Sequence, residues 1–254
     1  AAGNCVVAKP AERTAIAAYA ATRLLHEAGV PGDVLHLLPG EGRVIGSAMI
    51  RNPGVAGVVF TGGTDTGHTI NRMLAGRDGP IVTFIAETGG LNAMIADSTA
   101  LPEQLVRDAV MSAFDSAGQR CSALRVLFLQ NDIADKVLKL LAGTMAELKI
   151  GDPMKLDTDI GPVIDSAAMA MLEAHAKRMA GEGKLIAEAS LSTETKDGYF
   201  FAPRAYEIDA ISRLEREVFG PILHVVRYEA SALGKVCAAI NATGYGLTLG
   251  VHTR

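Results

Sequence analysis

The feature that most constrains the fold is a repeated change of period. Short apolar runs of strand length alternate from end to end with stretches patterned at helical spacing. Residues 4–9 read as a valine-rich strand, and 12–28 follow at helical spacing and stop at Gly29. Residues 34–38 are apolar, 43–51 helical, 55–60 a strand, 64–75 helical and 81–87 a strand. Beyond Gly90 the pattern predicts a strand over 93–97 and a helix over 102–119. A strand over 127–130 and a helix over 132–149, with Asp132 as its N-cap, come next. A helix over 165–180, strands over 184–187, 200–206 and 223–228, a helix over 232–241 and a strand over 247–252 complete the chain. Residues 191–198, rich in Ser, Thr, Lys and Asp, read as a surface turn. The expected class is α/β, with parallel strands and crossover helices on both faces. A domain boundary is placed near Gly89-Gly90, giving units 1–89 and 90–254. This pattern suits a nucleotide but does not by itself identify one.

A chain of 254 residues buries roughly 70–75% of its unfolded surface, enough for a substantial core. The formal net charge of −4 gives no electrostatic case for nucleic acid, and with no tryptophan there is no stacking platform to argue from. The longest apolar runs are strand-sized, so no membrane segment is expected, and no charged-then-apolar leader opens the chain. Three cysteines, Cys5, Cys121 and Cys237, do not make a disulfide framework; a reducing, cytoplasmic setting is the expectation. The six histidines show no ligand spacing and read as surface or packing residues, so no metal is expected.

Chemistry concentrates in two places. The run Phe114-Asp115-Ser116-Ala117-Gly118-Gln119-Arg120-Cys121-Ser122-Ala123-Leu124-Arg125 sets one thiol between a turn and small residues, flanked by two arginines. Those neighbours favour thiolate, a nucleophile able to take an aldehyde; a buried packing cysteine is the competing reading. Upstream, Phe84-Ile85-Ala86-Glu87-Thr88-Gly89-Gly90 is an apolar strand that ends in a carboxylate. In a partly apolar cleft Glu87 is a natural general base, whereas a solvated strand end is the plainer account.

Glu87-Thr88-Gly89-Gly90, followed 34 positions after Glu87 by Cys121, resembles the aldehyde dehydrogenase superfamily. Three further segments fit in order: Lys9-Pro10-Ala11-Glu12, Phe60-Thr61-Gly62-Gly63-Thr64 and Glu217-Val218-Phe219-Gly220-Pro221. The stretches around Glu87, Cys121, residues 159–165, 223–228 and 240–247 are similar to one branch. That branch is the L-glutamate γ-semialdehyde dehydrogenase half of bifunctional proline utilization A proteins.

The resemblance implies an aldehyde dehydrogenase-like fold, with an incomplete Rossmann-type cofactor domain followed by a catalytic domain. It implies NAD as cofactor, with Lys9 and Glu12 on the adenosine ribose and Phe60, Thr61, Gly62 and Gly63 at the pyrophosphate. Glu217 and Phe219 fall at the nicotinamide ribose. A carboxylate at Glu12 would repel a 2′-phosphate, which favours NAD over NADP. Gly63 stands where the family usually has serine, a change expected to weaken the pyrophosphate contact by about 1 kcal/mol. Cys121 becomes the nucleophile and Glu87 the base, expected to face each other across a cleft, while Ser122 falls on the substrate side. The implied partners are the aldehyde, an FAD-binding proline dehydrogenase domain in the same longer chain, and further copies in a homo-oligomer. The chain is about half the length associated with the family, so it reads as a fragment that does not turn over alone. The other readings are a dehydrogenase for another aldehyde, such as succinate semialdehyde, and a non-catalytic chain that binds a nucleotide or a partner.

Overall fold

The computed structural model describes residues 3–254; residues 1–2 of the expected first domain lie outside the described residues. The chain separates into two compact units, 1–88 and 89–254.

In the first unit, β1 (Val6–Ala8) pairs in parallel with β2 (Leu35–Leu37) across the helix α1 (Ala15–Glu27). A single 3₁₀ turn at Glu12–Thr14 leads into α1, and Gly29, at φ +97°, takes the left-handed conformation that ends it. The predicted 43–51 helix is split into a wide turn over Gly42–Gly46 and a short α2 (Ser47–Arg51). β3 (Gly57–Thr61), α3 (Thr64–Ala75) and β4 (Thr83–Glu87) form a second parallel pair. The two pairs are separate sheets. Val58, Phe60 and Phe84, on one face of β3–β4, pack with the buried Ile50, Ile70 and Leu74. Alternation along the strands leaves Val59 76% exposed and its register partner Ile85 51% exposed on the other face.

The second unit is one six-stranded sheet in the order β10-β5-β6-β9-β8-β7. Its strands are β5 (Ala93–Ala96), β6 (Val126–Gln130), β7 (Lys184–Glu188), β8 (Arg204–Glu207), β9 (Ile222–Tyr228) and β10 (Leu249–His252). All neighbours are parallel except β7 with β8. The fully parallel expectation therefore fails at this edge, where β7 runs the other way. β5 and β6 are buried along their whole length, as continuous apolar strands covered on both faces should be. The helices are α4 (Pro102–Phe114), α5 (Asn131–Ala146), α6 (Ser166–Glu182) and α7 (Leu233–Asn241).

Two sequence expectations need correction. Asp132 does not cap α5: Gln130 is the N-cap, and Asp132, in the first turn, accepts a hydrogen bond from the Gln130 Nε2 at 2.5 Å. Asp165, by contrast, does cap α6, taking the Ala168 N–H at 2.9 Å. The helix predicted over 102–119 stops at Phe114, and what replaces its last turn shapes the site.

Candidate active site

After Phe114 the backbone reverses hand. Ser116 and Ala117, at φ 54° and 53°, and Gly118, at φ +64°, make three successive left-handed residues. L-residues with a β-carbon resist this at roughly 1–2 kcal/mol each, so the turn persists only because its surroundings impose it. The clamps are visible. Gln119 donates from Nε2 to Ser116 O at 3.2 Å and Pro162 O at 3.3 Å, and its Oε1 takes the Ile164 N–H at 2.8 Å. Gly118 is pressed against the Gly220–Pro221 backbone so closely that a β-carbon there would overlap the Gly220 carbonyl. The glycine of Gly-Gln-Arg-Cys is thus required by the contact between the two segments, whereas that of Phe-Gly-Pro is packed against Leu172.

Cys121 follows, half-buried and unpaired, like Cys5 and Cys237, which are exposed. Two buried side chains hold the peptides around it. Asn92, just ahead of β5, donates from Nδ2 to Cys121 O at 2.6 Å and to Ala123 O at 2.9 Å, while its Oδ1 accepts from Thr248 N at 3.2 Å. Arg125, 1% exposed, donates to Gly118 O at 2.8 Å, Gly220 O at 3.1 Å and Arg120 O at 3.1 Å. It also pairs with Glu217 Oε1 at 2.8 Å through Nη2 and at 3.3 Å through Nε, and lies 5.4 Å from the centre of the Phe219 ring. Burial pulls the Arg125 pKa down, and the hydrogen bond and charge of Glu217 oppose that pull. A buried guanidinium without such a partner costs several kcal/mol, which is why the two residues belong together.

Of the residues singled out from sequence, this arrangement gathers Cys121, Glu217 and Phe219 around Arg125. Glu217, expected on a ribose, here holds an arginine. Ser122 is exposed, and its carbonyl lies 3.5 Å from Thr248 Oγ1. Asn92, Arg125 and Gln119 were missed as site residues, although all three stand inside the motifs quoted for the resemblance. The available signal for Arg125 was a charged residue directly before the apolar run Val126-Leu127-Phe128-Leu129. All these groups lie at the amino ends of β5, β6 and β9.

Behind this cluster are two histidines. His224 Nδ1 lies 3.1 Å from Arg125 O, and its Nε2 lies 2.9 Å from Nε2 of His175, whose Nδ1 is 3.5 Å from Arg178 Nη2. A carbonyl only accepts, so His224 carries its proton on Nδ1; its Nε2 then accepts from His175, and His175 Nδ1 accepts from Arg178. Burial, with the charge of Arg178, pulls the His175 pKa down to about 4. Burial and the neighbouring His175 lower that of His224 to about 3.

The first unit carries its candidates at the carboxyl ends of strands. Lys9, just past β1, donates from Nζ to Pro10 O and to Gly40 O, the latter at 3.2 Å, and Glu12 accepts the Gly42 N–H at 3.0 Å. Both side chains therefore tie the 40–42 turn to the end of β1. Thr61 and Glu87 are register partners at the ends of β3 and β4, and Gly62 N donates to Glu87 O at 3.1 Å. Glu87 is exposed, so within this unit it lacks the apolar surround expected of a general base. The Phe60 ring folds back over Gly62, where a β-carbon would strike it. Gly63 is the N-cap of α3 with open space where a side chain would start, and no side chain caps the helix. Free N–H groups and the positive helix end make this turn fit one negative group of a pyrophosphate, although Asp65 in the first turn opposes it. Among the described residues, no group of three or more His, Cys, Asp or Glu is arranged to hold a metal ion, and no helix is long and apolar enough to cross a membrane.

Comparison with known proteins meets this geometry. The chain is 52% identical over its whole length to the bifunctional protein PutA of Escherichia coli (strain K12), covering 20% of it. A mutant of proline utilization A from Bradyrhizobium japonicum superposes with a TM-score of 0.94 at 56% identity, with 99% of this chain and 25% of that one covered. A 1-pyrroline-5-carboxylate dehydrogenase from Thermus, solved with bound NAD, gives a TM-score of 0.91 at 31% identity over 99% of this chain and 49% of that one. The chain thus spans about a fifth to a half of the length of the relatives it matches. The aldehyde dehydrogenase family model matches residues 1–254, thiol loop and both sets of strand ends included, and the chain belongs to that family.

Proposed function

We propose that this chain supplies the nucleophile and general base for NAD-dependent oxidation of L-glutamate γ-semialdehyde to L-glutamate, a step of proline breakdown in the cytoplasm. The observation that carries the reading is Cys121, presented half-buried on a strained loop whose carbonyls at Gly118, Arg120 and Cys121 are held by the buried Arg125 and Asn92. Support comes from the relatives, which are named PutA and 1-pyrroline-5-carboxylate dehydrogenase.

Cys121 Sγ adds to the aldehyde carbon, and the carbonyl electrons move to oxygen to give a thiohemiacetal. The charge on that oxygen needs N–H donors aimed at it. NAD⁺, when bound, supplies the hydride acceptor; Lys9, Glu12, Phe60, Thr61, Gly62, Gly63, Glu217 and Phe219 are the residues proposed to hold it. Glu87 takes a proton from water, which attacks the resulting thioester and expels the Cys121 thiolate. Ser122, exposed beside the thiol, is proposed to bond the substrate. A proline dehydrogenase domain that binds FAD, in a longer chain that assembles as a homo-oligomer, is part of the same reading.

The test uses protein expressed from its whole reading frame, with the 254-residue chain alone alongside and expected to be inactive. NADH formation is expected with L-glutamate γ-semialdehyde at a kcat/KM well above that with succinate semialdehyde. Cys121→Ala should abolish it. Glu87→Gln should retain one burst of NADH per active site and lower the steady rate by about 10²–10⁴-fold. Equal use of both aldehydes, or full turnover without Cys121, would overturn the assignment.

A further inference from the structure

Arg125 makes five hydrogen bonds, to Gly118 O, Gly220 O, Arg120 O and twice to Glu217 Oε1, and these match the five N–H groups a guanidinium has. The bond to Arg120 O has a consequence beyond packing. A peptide unit is planar and trans, so its carbonyl and its N–H point in opposite directions. The carbonyl of the Arg120–Cys121 peptide is drawn toward the buried guanidinium at 3.1 Å, and it also takes the Ala123 N–H at 3.0 Å. The N–H of Cys121 is therefore turned away from Arg125. Asn92 does the same one peptide later: it holds Cys121 O at 2.6 Å and so orients the N–H of Ser122. Among the described residues, neither N–H meets an acceptor.

We propose that Arg125 is a positioning residue that fixes the plane of the Arg120–Cys121 peptide and thereby aims the Cys121 N–H at the oxygen of the adding aldehyde. The inference rests on Cys121 being the nucleophile. It assigns Arg125 no contact with substrate. The guanidinium is suited to this by shape as well as charge, because a lysine brings three donors on a point charge and leaves at least two of the five bonds unmade.

The experiment separates carbonyl chemistry from thiol chemistry. Addition to an aldehyde needs the N–H donor, whereas alkylation of Cys121 by iodoacetamide builds no oxyanion. In protein from the whole reading frame, Arg125→Lys is expected to lower kcat by about a hundredfold. The KM for the aldehyde and the alkylation rate constant of Cys121 should each stay within about threefold of wild type. The same split is expected for Arg125→Gln, which keeps a planar head with two donors and serves where the lysine variant does not fold. The proposal is overturned if kcat is retained within threefold, or if alkylation falls in proportion to kcat, which would mean that the loop has simply collapsed. Failure of both variants to fold assigns Arg125 to stability alone and overturns it too. The functional reading fails separately: a wild-type Cys121 that alkylates no faster than a free thiol, with no NADH formed, removes the nucleophile itself.

Discussion

Gly118 and Gly220 face each other, yet a methyl group added to either meets something different. On Gly118 it would overlap the Gly220 carbonyl and come within 2.8 Å of Pro221 N, both backbone, at a φ of +64°. On Gly220 the nearest atoms would all belong to the side chain of the fully buried Leu172, both δ-carbons lying inside normal contact distance, but a side chain can shift where backbone cannot. Backbone cannot yield without moving its strand, so Gly118→Ala is expected to cost about 2–3 kcal/mol. Gly220→Ala should cost about 1–2 kcal/mol, as moderate overpacking does. Urea unfolding of the two variants checks the order; equal losses would contradict the close approach. The sequence announced Gly118 as a turn residue, but its left-handed conformation and its opposing carbonyl depend on a segment 102 positions later, which no local pattern reports. Arg125 was equally hidden as a site residue, since a charged residue is rarely buried and its partner Glu217 lies 92 positions away.

Between elements, the informative contact is the one from α6 to β9. His175 on α6 and His224 on β9 stand edge to face with their ring centres 5.1 Å apart, in a one-way chain of donors from Arg178 to Arg125 O. Protonating either ring removes an acceptor and places two donors head to head. Both rings are held neutral in the folded protein, well below the ordinary histidine value of 6.5. Between about pH 6.5 and about 4 the unfolded chain therefore binds more protons than the folded one, and stability falls as pH drops through that window. Thermal unfolding across this range is expected to show a falling Tm, with a shallower slope in His175→Gln, where one titrating group is gone and a donor remains. An unchanged slope would show that the pair does not govern acid stability. The element pattern itself was largely legible: α3 and its bounds follow from period alone, and strands 81–87 and 223–228 are displaced by two residues at most. The helix predicted to run to 119 failed for a physical reason. Gly118 breaks the helical pattern readily, but Ser116 and Ala117 are held left-handed by clamps from Pro162, Ile164 and Gly220 around them, so at Ala117 tertiary contacts override good helical propensity.

At the scale of the whole molecule, the two units differ in what holds them. Among the described residues, the buried apolar cluster of the first unit is Ile50, Ile70 and Leu74, while the second unit buries an extended core around β5, β6 and β9. Local opening follows buried contact, so amide hydrogen exchange is expected to be faster in β3 and β4 than in β6 and β9. Comparable protection in the two sets of strands would overturn that ranking. The sequence places a boundary near Gly89-Gly90, but the depth of each core could not be read from composition, which is similar along the chain.

The clamps of the thiol loop also set a clock. Cys121 leaves the ribosome close to Gly118 and Arg125, but Glu217 and Gly220, which hold that arginine, lie 92 and 95 residues further along. At about 5–20 residues per second, Cys121 is translated roughly 5–20 s before the backbone that shapes its loop. During that interval Cys121 sits on an unformed turn, and only the completed sheet gives its loop the shape on which the proposed chemistry rests.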